Sequence, residues 1–306
     1  MPRVAPETLA VAACVDCATV RALVRVMKYL LLALVLALGA CASAPVSEDR
    51  LEASPAPVIA AERAFAADAA RRGWVAAFRT YAAADAIMLS PDPVNAQAQL
   101  AEIEGDGSTA LDWRPAYAGI SRSGDFGFTT GPFQMRGRDG IIGHYFTVWR
   151  RQSDGDWKWI FDAGTDVRDP GPAVEPDAAI PSIVVATGGA SGEETAIAAI
   201  AALEEANARS VSLAGLLADD ARVNRPYEPA AVGGQAAFRL MAAEGGATFT
   251  SLRREAASGG DMVFSLGEVR DSNEGVERLR YYARIWQWRP EGWRIVFDEI
   301  VPRRGG

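Results

Sequence analysis

The stretch GHYFTVWRRQSDGDWKWIFDAG, residues 143–164, decides the fold. Its middle, Gln152-Ser-Asp-Gly-Asp156, is a turn, and both flanks are strand-like. After the turn Trp157, Trp159 and Phe161 alternate with Lys158, Ile160 and Asp162, a period of two with one aromatic face. Before it runs His144-Tyr-Phe-Thr-Val-Trp149. The whole reads as an antiparallel hairpin half-buried on its aromatic side. Strict alternation points Asp162 away from that side.

Working outward, the same markers occur twice. Asp125 precedes Trp149 by 24 residues, and Asp261 precedes Trp286 by 25; Trp157 and Phe161-Asp162 then match Trp293 and Phe297-Asp298. Upstream, Asp85 and Pro91 are six apart, as are Asp220 and Pro226. A ladder that holds register to one residue over each step argues for an internal duplication, 57–167 and 193–303. Residues 168–192, rich in Pro, Gly and Ala, are expected to link two independently folded halves and to be cut first by protease. Within them Ile183-Val184-Val185 is expected to add a short strand or dock on a domain.

Each copy begins with a helical pattern. Pro57 suits a first turn, and Val58, Ala61, Phe65 and Ala69 keep 3–4 spacing. Gly73 interrupts, and Trp74, Phe78 and Tyr81 resume the stripe; the second copy offers Ile197, Ile200 and Leu203. Helices followed by a meander of long strands define an α+β class. With SGDFGFTTGPF (123–133) ahead of it, the 143–164 run resembles the SnoaL-like members of the nuclear-transport-factor-2 (NTF2) superfamily. That resemblance is close over 57–167 and weaker over 193–303. It implies two tandem cone-shaped domains, each a curved antiparallel sheet wrapped around its N-terminal helices to enclose an apolar cavity. It also implies that members often pair through their sheets, so that domain–domain or homodimer packing is expected here. The superfamily hosts enzymes and binding modules alike, so activity does not follow from fold.

Composition narrows the remaining choices. The chain has 306 residues, 31 Lys plus Arg against 39 Asp plus Glu, and a formal charge of −8, a poor match to phosphate backbones; nucleic acid is excluded as a partner. Three Cys and one His leave no metal framework and no disulfide scaffold; no metal and no cofactor is expected. Residues 29–40, YLLLALVLALGA, are too short an apolar run to span a bilayer but suit the core of a signal peptide, with Lys28, Arg21 and Arg25 ahead of it. The ending Leu38-Gly39-Ala40-Cys41 resembles the bacterial lipobox. That resemblance implies cleavage after Ala40, lipidation of Cys41, and anchorage in the cell envelope, with outer-membrane sorting facing the periplasm. Residues 1–40 are therefore read as the signal and 41–56 as a polar tether. Met27 opens a compact signal of its own, so 1–26 read as an over-extended start and Cys14-x-x-Cys17 as no redox site.

Chemistry is sparse. His144, the single histidine, and Asp162 are the candidate catalytic residues, His144 as a base near neutral pH and Asp162 as a carboxyl whose environment could tune it. Repetition argues the other way for both: counting back from Trp286 puts Tyr281 in the place of His144, and Asp162 recurs as Asp298. Asp125, Asp261, Asp85 and Asp220 read as structural turn residues. The candidate pocket residues are Phe65, Phe78, Trp113, Phe128, Trp149 and Trp159. Three functions fit: a lipid-anchored protein binding a small apolar molecule in a cone, which is the leading reading; an enzyme of proton-transfer or hydration type in the first copy; and an interaction protein with filled cones. Any open cavity is expected in the first copy.

Overall fold

The computed structural model describes residues 53–138, 140–168, 179–208, 210–273 and 275–303. The expected signal, Ala40, Cys41, the cysteines at 14 and 17, most of the tether, and 169–178 of the linker lie outside them. No helix among the described residues is long and apolar enough to cross a membrane.

Apolar spacing makes α1 (Ala56–Arg72), and Gly73 ends it. Its φ of 104° lets the chain turn directly into α2 (Trp74–Tyr81), and a Cβ there would collide with the carbonyl oxygens of Asp106 and Gly107. Val58, Glu62, Phe65 and Ala69 form the buried side of α1. The strands that follow are β1 (Ala82–Leu89), β2 (Pro93–Asn95), β3 (Leu111–Trp113), β4 (Tyr117–Ile120), β5 (Phe126–Met135), β6 (Gly143–Arg151) and β7 (Trp157–Asp166), with α3 (Ala96–Ala101) capped by the Asn95 side chain. They make a sheet of order β2-β1-β7-β6-β5-β3, β4 also pairing with β5.

The second half repeats this plan with α4 (Glu193–Ala206), α5 (Ser210–Ala214), β8 (Leu217–Asn224), β9 (Ala231–Val232), α6 (Gly234–Ala242), β10 (Thr248–Ala256), β11 (Met262–Asn273), β12 (Val276–Arg289) and β13 (Gly292–Pro302), in the order β10-β11-β12-β13-β8-β9. The architecture is the expected α+β pair of cones. One detail differs: β1–β7 and β8–β13 run parallel, so neither sheet is wholly antiparallel.

In the first sheet one face receives the helices, where Phe65 packs on Trp149 and Phe78 on Trp159. The other face meets the second sheet: Phe146 stacks on Phe297 at 4.1 Å, and Phe161 lies 5.1 Å from Phe264. Polar contacts across this interface recur with partners exchanged. Asp125 accepts from the Ser258 N–H while Asp261 accepts from the Arg122 N–H. The Tyr117 hydroxyl donates to the Asp220 carbonyl while Arg253 donates to that of Asp85. Reciprocity of this kind marks a two-fold relation between the halves, and it gives the carboxylates of Asp125 and Asp261 a place in the interface beside their turn positions. Ile183 docks as well: its N–H donates to the Ala118 carbonyl, the Ala118 N–H donates to the Pro181 carbonyl, and the Ile183 side chain is buried. Residues 52–306 form one compact unit in which the two halves share an apolar core.

Candidate functional site

The site begins with a β-bulge. Trp149 pairs with Trp159 and Val148 with Phe161, leaving Ile160 as an extra residue. An inserted residue inverts the facing of everything beyond it. Phe161 therefore turns to the second sheet, and Asp162 turns to the helix side with Trp159. This corrects the expectation that Asp162 points away. The second half repeats the bulge at Val296, between Ile295 and Phe297.

Asp162 stands half-buried in the wall of a cavity of about 190 Å³ lined by Phe78, Leu111, Trp113, Phe133, Tyr145, Ala163 and Gly164. A second lobe of about 200 Å³ shares Phe78, Asp162, Ala163 and Gly164, and is closed by Leu89, Pro91 and, from β13, Val301 and Pro302. The Thr147 hydroxyl donates to Asp162 Oδ2 at 2.6 Å. Behind it lies Glu62, fully buried, which receives Trp113 Nε1 at 2.6 Å, Trp149 Nε1 at 3.0 Å and the Thr129 hydroxyl. The Tyr145 hydroxyl is buried beside Thr129, whose hydroxyl donates to Glu62 and keeps lone pairs free to accept from the phenol.

Burial dominates the electrostatics. It pushes the Asp162 carboxyl well above the usual carboxylate range, against the Thr147 hydrogen bond, and the nearby Glu62 and Glu299 push the same way. Glu62 is raised by burial too, opposed by the hydroxyl and indole donors around it. Glu299, which accepts from Asn224 on the second sheet, is pushed up to about 8 by burial. The phenol of Tyr145 is raised well above its ordinary value by burial, then by the charge of Glu62. Among the described residues neither Asp162 nor Glu62 has a cationic partner.

Of the pocket residues read from sequence, Phe78 and Trp113 line the cavity. Phe65, Trp149 and Trp159 are fully buried beneath it. Phe128 is placed elsewhere: it faces the second sheet, 5.9 Å from Phe297, because β5 alternates it with Thr129, whose hydroxyl reaches Glu62. His144 shares the inter-sheet face with Phe146 and does not line the cavity; burial, then the charge of Arg222, lowers its pKa. Sequence reading passed over Glu62, Tyr145 and Thr147. The signal for Glu62 was present, since a carboxylate four residues after Val58 and three before Phe65 occupies a core position of the helical stripe, as Glu204 does after Ile200. Among the described residues no group of three His, Cys, Asp or Glu could hold a metal.

No protein-family model matches the sequence, and no curated protein matches it. Solved structures do. The chain is similar to an NTF2-like protein with a cystatin-like fold from Novosphingobium aromaticivorans, at 19% identity over 36% of this chain and 79% of that one, with a TM-score of 0.27. It is similar to an NTF2-like protein of unknown function from Pseudomonas putida, at 15% identity over 34% and 84%, with a TM-score of 0.29. A ketosteroid isomerase-like protein from Erwinia carotovora matches at 20% identity over 34% and 89%, with a TM-score of 0.27.

Proposed function

We propose that this chain is an envelope-anchored, SnoaL-like protein of two tandem cones whose first cone binds a small, largely apolar molecule. The observation that carries this reading is the cavity itself: aromatic walls from Phe78, Trp113, Phe133 and Tyr145 converge on one half-buried carboxyl, Asp162. A mostly apolar concavity with few polar groups is the usual form of a small-molecule site. Its size suits a ligand smaller than a drug. The anchor rests on Leu38-Gly39-Ala40-Cys41. Cys41→Ser is expected to move the protein from the detergent phase to the soluble fraction and to abolish palmitate labelling; unchanged partitioning overturns the anchor. For the cone, a thermal-shift screen of small ketones, phenols and amines against the full chain is expected to yield ligands whose effect Ala163→Leu removes. Ligand at 100 times its Kd stabilises by about 2.7 kcal/mol. Failure of every member to bind overturns the reading.

One observation favours a second reading, proton transfer to or from a bound molecule: the Asp162 carboxyl stands in the cavity wall with its pKa raised by burial, the direction in which an acid–base carboxyl is tuned. In that case Asp162→Asn removes turnover and spares binding, whereas His144→Ala, on the opposite face, changes neither.

A further inference from the structure

The two cones set the same acids in the same surroundings and give them different partners. Strand register aligns Asp162 with Asp298, Thr147 with Arg284, Tyr145 with Tyr282 and Trp113 with Phe249. Glu62 and Glu204 each accept the indole N–H of the matching Trp149 or Trp286. In the second cone the fully buried guanidinium of Arg284 lies among these groups. Its Nε donates to Asp298 Oδ2 at 2.6 Å, and a terminal nitrogen is 3.6 Å from Glu204. Its central carbon is 4.5 Å from the Tyr282 ring centre, 5.4 Å from that of Phe249 and 5.7 Å from that of Trp286. Acids on one side and aromatic faces on the other make a cage for a flat or rounded cation.

The first cone has the acids and the rings but no arginine. Thr147 stands where Arg284 does. The other two arginines on the second cone's acids, Arg254 on Glu204 and Arg225 on Asp298, have Ala118 and Ser90 at the matching positions. Three of the groups around Arg284 have counterparts, Trp113, Tyr145 and Asp162, that line the first cone's cavity. The buried Tyr145 hydroxyl stands at that cavity beside Thr129.

We propose that the first cone binds a monovalent organic cation, an alkylammonium or alkylguanidinium head on a small apolar body, seated where the Arg284 guanidinium lies in the second cone. This rests on reading the first cone as a small-molecule site and names what it takes. Burial without a cationic partner disfavours the charged form of Asp162, and a bound cation would favour it.

The test is calorimetric titration of the purified full chain with N-butylguanidinium chloride and, separately, with N-butylurea, its uncharged counterpart of like shape. The cation is expected to bind at least tenfold more tightly than the urea. Asp162→Asn is expected to weaken the cation at least tenfold and leave the urea within twofold. Thr147→Arg, which gives the first cone the second cone's side chain, is expected to abolish binding of both; if that variant does not fold, the Asp162→Asn comparison decides. Urea binding as tight as guanidinium overturns the cation and leaves the small-molecule reading standing. No binding of either overturns both. Guanidinium binding that survives Asp162→Asn undiminished places it elsewhere and overturns the proposal.

Discussion

The first cone and the second share sheet order, bulge, a glutamate on the leading helix and an aspartate after the bulge, yet in one these acids stand at or behind a cavity and in the other arginines pair with them. In the second, Arg284 and Arg225 bracket Asp298, and Arg225 and Arg280 share Glu244. In the first, the same acids face hydroxyls, indoles and a cavity. One scaffold thus carries two uses of a buried carboxylate. With a guanidinium the acid is part of the core; without one it is raised in pKa and available to a visitor.

Four experiments break or sharpen this contrast. The largest effect is expected from Arg284→Thr, which gives the second cone the residue of the first. Removing one partner of a buried ion pair costs about 3–5 kcal/mol, read as a lower urea midpoint. A loss under 1 kcal/mol would mean the arginine is not what holds that cone. Phe297→Ala, at the stack between the sheets, comes next. It is expected to cost about 3 kcal/mol and to destabilise both halves in a single transition. Two separated transitions would show that the halves melt independently.

The third concerns pH. Glu299 titrates at about 8 in the folded chain, above its ordinary value of 4.5. The folded state therefore holds a proton that the unfolded state has lost, and stability falls as pH rises between these values, by at most about 1.4 kcal/mol per unit. Glu299→Gln is expected to flatten that part of the stability profile and to leave it unchanged below pH 4.5; a parallel profile sinks the assignment. The smallest effect belongs to Asp85→Asn. Its pairs with Arg150 and Arg253 are half exposed, so the loss is about 0.2–1 kcal/mol and shrinks in salt.

Much of the fold was legible because periodicity and spacing are what a sheet imposes on a sequence. The interval from Asp125 to Trp149 is the length of two paired strands and their turn, so its recurrence at Asp261 and Trp286 shows the second sheet. The site was less legible. A bulge inserts one residue without any composition of its own, and Ile160 looks like every other alternating position; only pairing shows that it is extra and that Asp162 has changed sides. Phe128 failed in the same manner: an aromatic in a strand must be buried, but sequence does not say against which layer. Glu62 is legible as a carboxylate at a core position of an apolar stripe, where burial demands partners such as the indoles of Trp113 and Trp149.

The reciprocal contacts between the sheets have a consequence for descent. Where two identical chains meet about a two-fold axis, every substitution is written twice, and a residue that closes one pocket closes its twin. Joined in one polypeptide, the halves stay together at any dilution, because the 168–192 linker holds their effective concentration at about the millimolar range. They are also freed from identity. Thr147 and Arg284 stand at matching places, and no dimer of one gene product could hold them both. Covalent fusion is what lets one half carry the arginine and the other the threonine beside its opening.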